Sequence, residues 1–90
     1  MKKNSYYTYM VRCADGSLYT GFTTDPEARE AMHNSGRGAK YTASRRPVRL
    51  VWQRRWDTEH EARSAEIRIK RMKKKEKEAL VVSFEREKDI

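Results

Sequence analysis

Residues 6–23 read YYTYMVRCADGSLYTGFT, and this stretch decides how the chain begins to fold. Two runs of aromatic and β-branched residues, 6–13 and 18–23, are separated by residues 14–16. Residues of these types favour β-strands, and a short connection that contains glycine favours a hairpin. We therefore predict two antiparallel strands joined by a tight turn.

The length of the loop decides whether Tyr9 and Tyr19 share a face of the hairpin. A two-residue turn would place them on opposite faces, because side chains alternate along a strand. A three-residue loop with Gly16 in the left-handed conformation pairs Cys13 with Ser17 instead. Both tyrosines then project from one face as diagonal neighbours, roughly 7–8 Å apart. We predict the three-residue loop, because a site that uses both tyrosines requires it.

A helix is predicted directly after the hairpin. Asp25 can cap it, Pro26 suits its first position, and it should extend to about His33. The basic, glycine-containing stretch 36–46 follows, with a short helical turn near its end. This stretch leads to a third strand, which we predict at residues 48–56.

The second half of the chain carries one strand pattern and two helix patterns. In the strand, alternation places Leu50 and Trp52 on one face and Val51 on the other. Thr58 with Glu61 forms a capping box that begins a helix. The apolar stripe of this helix contains Ala62, Ala65, Ile69 and Met72. A further helical segment follows a run of lysines.

These elements indicate an α/β (α+β) fold, a small three-stranded and mostly antiparallel sheet flanked by helices. A chain of 90 residues makes one domain at most. We expect residues 1–84 to form that domain and residues 85–90 to form a charged, frayed tail.

The composition favours a polyanionic partner. Lys and Arg number 21 against 13 Asp and Glu, a net charge of +8, and the usual partner of such a protein is nucleic acid. The alternative is a protein whose lysines are simply solvated. The single cysteine, Cys13, can form no internal disulfide, and no Cys/His cluster is present for structural zinc. No apolar run resembles a signal peptide or a membrane span, so we expect a cytoplasmic protein with no membrane partner.

Tyr9 and Tyr19 are the first candidates for chemistry. Beside a phosphodiester, a phenol can orient or deprotonate a water molecule. Free tyrosine has a pKa of about 10, so nearby positive charge would have to favour the phenolate. The alternative is a pair of half-buried strand tyrosines that pack under a helix.

Three residues on the predicted helices could complete a phosphoryl-transfer site. Arg29 can bind a phosphate oxygen through two hydrogen bonds, and His33, one turn further on, can bind substrate or a tyrosine. The alternatives are that Arg29 is solvated, as most helical arginines are, and that His33 is a structural or exposed side chain. Glu66 interrupts an apolar stripe, which is costly unless its carboxylate is satisfied. It is either paired with a nearby Arg or a ligand for a divalent cation such as Mg²⁺.

The loop 36–46 is a candidate clamp for a nucleic-acid backbone. Exposed backbone N–H groups and cations can grip phosphates, although an ordinary basic surface loop is the alternative. The proposed contacts are Arg37, Lys40, Tyr41, Arg45 and Arg46. A second basic run, residues 70–77, could bind nucleic acid without sequence preference.

The order of these features resembles the GIY-YIG nuclease superfamily and, within it, the small standalone bacterial members. The likeness extends over residues 6–82. It rests on Tyr7-Thr8-Tyr9, Tyr19-Thr20-Gly21, Arg29 with His33, the stretch from His33 to Thr42, Arg46-Pro47-Val48 and the helix of Glu66. The first motif departs from the family pattern, since Tyr7 and Thr8 stand where Gly and Ile are usual.

The resemblance implies hydrolysis of a DNA phosphodiester with a single divalent cation, Mg²⁺ or Mn²⁺. By position, Tyr9 matches the tyrosine that acts as general base or orients water, and Tyr19 matches its partner. Arg29 matches the phosphate-binding arginine, and Glu66 matches the metal ligand. His33 matches a position with a supporting role.

The leading hypothesis is therefore a metal-dependent endonuclease, structure-selective or weakly specific, that acts in DNA repair or processing. The rival hypothesis is a non-catalytic nucleic-acid-binding module on the same scaffold. A third is an interaction domain whose basic face binds an acidic protein. DNA is the expected substrate, with RNA as an alternative. Larger members append a DNA-targeting domain that is not seen here, which leaves a place for a targeting protein partner.

Overall fold

The structure, a computed structural model, describes residues 5–88, which form a three-stranded sheet and four helices. Along the chain the elements are β1 (Tyr6–Arg12), β2 (Leu18–Thr23), α1 (Pro26–Asn34), α2 (Lys40–Ala43), β3 (Arg49–Trp56), α3 (Glu59–Lys70) and α4 (Lys74–Lys88). The sheet has the order β2-β1-β3, and both strand pairs are antiparallel. The predicted α+β fold with a small antiparallel sheet is confirmed.

The hairpin has the predicted three-residue loop. The backbone N–H of Cys13 donates to the carbonyl oxygen of Ser17 at 2.8 Å, and Gly16 has a φ of 86°. Glycine adopts this left-handed conformation without the steric cost that a side chain would add. In the resulting register Tyr9 and Tyr19 project from the same face as diagonal neighbours.

The two faces of the sheet pack against different helices. The face that carries Tyr9 is covered by α1, whereas the opposite face carries Met10 and is covered by α3 and α4. The Thr8 hydroxyl donates to the carbonyl oxygen of Ala62 at 2.7 Å and ties α3 to this second face. Val81 of α4, which is 2% exposed, packs into the same cluster as Met10.

A β-bulge between β1 and β3 corrects one expectation. Met10 pairs with Trp52 and Val11 pairs with Leu50, so Val51 is an extra residue in β3. Val51 therefore packs beside Trp52 against Met10, while Leu50 packs on the opposite face with Val11. The predicted strict alternation along β3 is wrong, because a bulge places two successive residues opposite one partner.

The predicted helix starts are confirmed by their caps. The Asp25 carboxylate accepts a hydrogen bond from the backbone N–H of Ala28 at 3.2 Å at the start of α1. The Thr58 hydroxyl does the same for the backbone N–H of Glu61, also at 3.2 Å, at the start of α3. Both caps satisfy a backbone donor that the helix itself leaves free.

Helix α4 extends beyond the boundary that we expected at residue 84. It continues to Lys88, because residues 85–88 are Glu, Arg, Glu and Lys, which are all good helix formers. Residues 1–4 and 89–90, assigned above to the start of the domain and to its tail, lie outside the described residues. Between residues 5 and 88, no helix is both long enough and apolar enough to cross a membrane.

Candidate active site

Three of the predicted site residues, Tyr9, Tyr19 and His33, come together where α1 packs on the sheet. The ring of His33 lies 5.9 Å from the ring of Tyr9 and 5.3 Å from the ring of Tyr19, centroid to centroid. Tyr9 and His33 are both 0% exposed. The capped start of α1 and the hairpin register together place the imidazole between the two phenols.

A chain of short hydrogen-bond distances begins at Tyr9. Its hydroxyl oxygen lies 2.7 Å from Nε2 of His33, and Nδ1 of the same ring lies 2.8 Å from Oγ1 of Thr42. The Thr42 hydroxyl in turn lies 3.0 Å from the carbonyl oxygen of Ala39, to which it donates. The imidazole is thus held at both nitrogens, which is how a buried histidine is normally satisfied.

Gly38 makes the close packing around His33 possible. A Cβ atom at Gly38 would overlap the His33 imidazole at Nδ1. The carbonyl oxygen of Gly38 also accepts a hydrogen bond from Nη2 of Arg29 at 3.1 Å. One glycine of the basic loop therefore contacts two of the candidate site residues.

Burial and the charge of Arg29 determine the protonation states of Tyr9 and His33. Burial raises the pKa of the Tyr9 phenol, hydrogen bonding and charge from Arg29 act in the opposite direction, and Tyr19 and Glu66 raise that pKa further. Burial, and then the charge of Arg29, lower the pKa of His33. His33 is therefore a neutral imidazole at neutral pH, and Tyr9 is a neutral phenol.

Arg29 keeps part of its hydrogen-bonding capacity free. Besides the bond to Gly38, its Nη1 contacts the sulfur of Met32 at 2.9 Å. The guanidinium also lies close enough to the Tyr9 phenol to act on its pKa, but Nε is buried and makes no hydrogen bond of good geometry. Because a buried guanidinium donor is costly when unsatisfied, this nitrogen is suited to a ligand that brings an acceptor into the site.

Glu66 is paired, but with a lysine rather than with the arginine that the sequence suggested as an alternative. Nζ of Lys70 lies 2.8 Å from Oε2 of Glu66, one helical turn away on α3. The same ammonium lies 5.8 Å from the centroid of the Tyr19 ring, and the charge of Glu66 acts on Tyr9. This end of α3 therefore reaches the tyrosine face at the β2 edge of the sheet.

The carboxylate of Glu66 is a candidate ligand for a cation such as Mg²⁺. Within residues 5–88, no three His, Cys, Asp or Glu side chains gather into a metal-binding cluster. The Glu66 side chain is 20% exposed, so its carboxylate can be reached from solvent. A single accessible carboxylate suits a cation such as Mg²⁺, which keeps several waters and completes its shell with substrate oxygens.

Two residues of the basic loop extend the site. The Tyr41 ring stacks on the Tyr19 ring with centroids 5.9 Å apart, and the guanidinium of Arg45 lies 3.9 Å above the Tyr41 ring. Nε of Arg45 also pairs with Asp15 of the hairpin turn at 3.1 Å. Tyr41 and Arg45 thus form a surface that is continuous with Tyr19.

The other three predicted nucleic-acid contacts lie differently. Arg37, on the connection between α1 and α2, and Lys40, the first residue of α2, are both exposed. Arg46 donates from Nε to the carbonyl oxygen of Ala43 at 2.8 Å and from Nη1 to that of Asn34 at 3.4 Å. The side chain of Arg46 therefore joins the last turns of α1 and α2.

Thr42, Gly38 and Lys70 belong to the site, but the sequence reasoning did not single them out. Lys70 could have been found, because a Glu and a Lys at positions i and i+4 of a helix commonly pair. Thr42 and Gly38 carry no such local signal, since their contact with His33 depends on how the loop folds back over α1.

Comparison with known proteins identifies the family. Residues 5–79 match the family described as the GIY-YIG catalytic domain. The UPF0213 protein of Bacillus pumilus is 44% identical over 89 residues, which is 99% of this chain and 91% of that protein.

Two proteins solved by solution NMR have the same fold. The UPF0213 protein BH0048 from Bacillus halodurans is 44% identical, with a TM-score of 0.57 over 87% of this chain and 83% of that one. The protein EF2693 from E. faecalis is 45% identical, with a TM-score of 0.61 over 93% and 90%. The chain therefore belongs to the GIY-YIG family, and it is similar to bacterial UPF0213 proteins over nearly all of its length.

Proposed function

We propose that this protein is a metal-dependent endonuclease that hydrolyses phosphodiester bonds in DNA. The observation that carries the proposal is the 2.7 Å contact between the Tyr9 hydroxyl and Nε2 of a neutral His33. The charges of Arg29 and Glu66 also act on the Tyr9 phenol. A base (His33), a cation and a carboxylate therefore all act on one hydroxyl group. Such a combination suits attack of water on a phosphate diester.

In the proposed reaction, the attacking water enters with the substrate, because Tyr9 is fully buried without it. Tyr9 takes a proton from this water as its own proton passes to Nε2 of His33, which is an imidazolium for that step and then returns the proton to solvent. The water oxygen forms a bond to phosphorus, the bond to the leaving oxygen breaks, and that oxygen takes a proton from solvent. Arg29 binds a non-bridging phosphate oxygen and stabilises the charge that develops there. Tyr19, which packs against the His33 ring, orients the water or the phosphate.

Glu66 is the proposed ligand for one divalent cation, Mg²⁺ or Mn²⁺. When bound, the cation would neutralise charge on the phosphate and stabilise the leaving oxygen. Nζ of Lys70 lies 2.8 Å from Oε2 of Glu66, so a bound cation would compete with Lys70 for the charge of the carboxylate. The Lys70 side chain is 48% exposed and that of Glu66 is 20% exposed, so solvent screens the pair and keeps the cost of this competition small.

The substrate surface proposed for the flanking nucleotides comprises Arg37, Lys40, Tyr41 and Arg45. Tyr41, held between Tyr19 and Arg45, offers the exposed edge of its ring to a sugar or base, and the three cations can contact phosphates. Arg46 is exposed and is a further proposed contact, although carbonyl oxygens of α1 and α2 accept hydrogen bonds from two of its nitrogens. We propose that those two bonds also hold the loop in place. The biological setting proposed for the reaction is DNA repair or processing, with preference for a DNA structure rather than a sequence.

A non-catalytic nucleic-acid-binding module is the second candidate, and the net charge of +8 favours it. The two functions differ in a direct assay. Purified protein is incubated with labelled single-stranded, duplex, flap and branched DNA and with RNA, in Mg²⁺, Mn²⁺ or EDTA.

The assay includes the variants Tyr9→Phe and Glu66→Gln, with circular dichroism as the check that each is folded. We expect cleavage of DNA that requires the metal and is lost in both folded variants. Salt-sensitive binding without any product on every substrate would replace the endonuclease with the binding module.

A further inference from the structure

We propose that Thr42 is a positioning residue that holds His33 in the tautomer with the proton on Nδ1, which leaves Nε2 ready to take the proton of Tyr9. The role in cleavage rests on the endonuclease function proposed above, whereas the tautomer can be measured without it. Thr42 does not contact the reacting atoms, and it acts only through His33.

Three contacts form the hydrogen-bond chain from Ala39 through Thr42 and His33 to Tyr9. Only one direction of proton donation along this chain makes all three contacts hydrogen bonds. A backbone carbonyl oxygen only accepts, so the proton between Ala39 and Thr42 must come from the Thr42 hydroxyl at 3.0 Å. Oγ1 of Thr42 then offers only lone pairs to Nδ1 of His33 at 2.8 Å, and Nδ1 must carry the proton. In a neutral imidazole Nε2 is then an acceptor, and the Tyr9 hydroxyl donates to it at 2.7 Å.

The opposite direction of donation, with the His33 proton on Nε2, makes fewer of these contacts hydrogen bonds. If Nε2 carried the proton, the Thr42 hydroxyl would have to donate to Nδ1. The oxygens of Thr42 and Ala39 would then stand 3.0 Å apart with no proton between them. The Tyr9 proton would also lose its acceptor inside a site where Tyr9 and His33 are fully buried.

In the resting protein, before substrate binds, the doubly protonated form of His33 is disfavoured by its surroundings. The ring is enclosed by the phenols of Tyr9 and Tyr19, and by the backbone of Gly38. Arg29 adds a positive charge, and burial together with that charge lowers the pKa of His33. The neutral ring therefore has two tautomers to choose between, and Thr42 contacts the nitrogen that decides the choice.

The sharpest test is ¹H–¹⁵N long-range correlation NMR of the histidine rings in the full chain. The second histidine, His60, is exposed at the start of α3 and serves as the internal reference. In the wild type we expect a His33 ring protonated at Nδ1 and unprotonated at Nε2. The reverse pattern in the wild type would overturn the proposal without any variant.

Two variants separate positioning from simple packing. Thr42→Ser keeps the hydroxyl, so we expect it to keep the Nδ1–H tautomer. Thr42→Val keeps the shape but has no acceptor for Nδ1–H, so we expect a large fraction of the ring to shift to the Nε2–H tautomer. A folded Thr42→Val protein with the wild-type tautomer would overturn the proposal, and if this variant does not fold, the wild-type spectrum still decides.

Cleavage under single-turnover conditions tests the link to the reaction. We expect Thr42→Val to lower the rate constant by about 10²-fold, the lower end of what a positioned acid or base contributes, with unchanged DNA affinity. Thr42→Ser should restore most of the rate. Equal rates in wild type and Thr42→Val would remove Thr42 from the mechanism. A wild type with the expected tautomer and no cleavage would refute the proposed function and leave the tautomer assignment standing.

Discussion

A Cβ atom at Gly21 would lie 2.5 Å from the hydroxyl oxygen of Tyr9, the residue opposite Gly21 in the β1–β2 pair. No carbon and oxygen atoms pack that closely, so Gly21→Ala must displace the Tyr9 ring from its 2.7 Å contact with His33. We expect the variant to lose about 1–3 kcal/mol of unfolding free energy in urea titrations, the usual cost of overpacking a core. It should also lose cleavage.

Gly16→Ala is the matched control for this substitution. A Cβ atom at Gly16 meets nothing within 4 Å, although its φ of 86° adds backbone strain. This variant should cost about 1 kcal/mol and retain cleavage, because the turn is remote from the Tyr9 hydroxyl. If Gly21→Ala were as stable and as active as wild type, the close contact between Gly21 and Tyr9 would not constrain the site.

The low pKa of His33 predicts how stability depends on pH. Because burial and Arg29 lower this pKa in the folded protein, the unfolded chain binds more protons as the pH falls below the ordinary value of about 6.5. The unfolding free energy should therefore decrease from pH 7 toward pH 5, by at most about 1.4 kcal/mol per pH unit from this group. Stability should be recovered as the pH rises again.

His33→Gln and His60→Gln distinguish the two histidines in this measurement. His60 is exposed at the start of α3, so His60→Gln is the control for the loss of a histidine outside the site. His33→Gln should flatten the slope between pH 5 and 7, even though it lowers stability at every pH by breaking contacts with Tyr9 and Thr42. Parallel curves for the wild type and the folded His33 variant would show that His33 is not the group responsible.

The pair of Glu66 and Lys70 predicts the effect of a lysine on metal binding. The side chains are 20% and 48% exposed, so the pair is screened by solvent and is worth about 0.3–0.5 kcal/mol. Lys70→Met should therefore raise the affinity for Mn²⁺ about twofold, as followed by electron paramagnetic resonance. Glu66→Gln should abolish the binding.

Arg63→Met is the control, because Arg63 forms an ion pair of the same spacing with Glu59 on α3 at 2.7 Å. Its removal should not change the affinity for Mn²⁺. Weaker Mn²⁺ binding in Lys70→Met would mean that Lys70 supports the cation site instead of competing for its ligand.

The geometry of the hairpin was largely predictable from the sequence, since it depends on local rules. The glycine in a three-residue loop determined the register, and the register placed Tyr9 and Tyr19 on one face. The bulge at Val51 was not predictable, because it arises where β3 pairs with β1 across a long stretch of chain.

The contacts of Thr42 and Gly38 with His33 were not predictable from the sequence for a similar reason. Thr42 contacts His33 because the loop folds back over α1. The same fold brings Gly38 so close to the imidazole that a side chain at this position would overlap it. Neither residue follows a helix or strand periodicity that brings it to the imidazole. The same loop turns Arg46 toward the carbonyl oxygens of α1 and α2, which the basic character of the stretch did not indicate.

The exposed cations of the loop predict how nucleic-acid binding depends on salt. Arg37 and Lys40 are exposed beside the surface formed by Tyr41 and Arg45, and each phosphate contact adds about one unit to the slope of log K against log salt. The double variant Arg37→Gln, Lys40→Gln should bind every DNA more weakly and lower that slope by about two. Fluorescence anisotropy with labelled duplex at several salt concentrations measures both quantities.

Arg55→Gln with Arg86→Gln removes the same charge elsewhere, from β3 and α4, and is the control for this prediction. The net charge falls from +8 to +6 in both double variants, since each loses two cations. If the slope depended only on net charge, the two variants would behave alike. A larger decrease for the loop variant would locate the phosphate contacts beside Tyr19, whereas equal slopes would show that this loop does not bind the backbone.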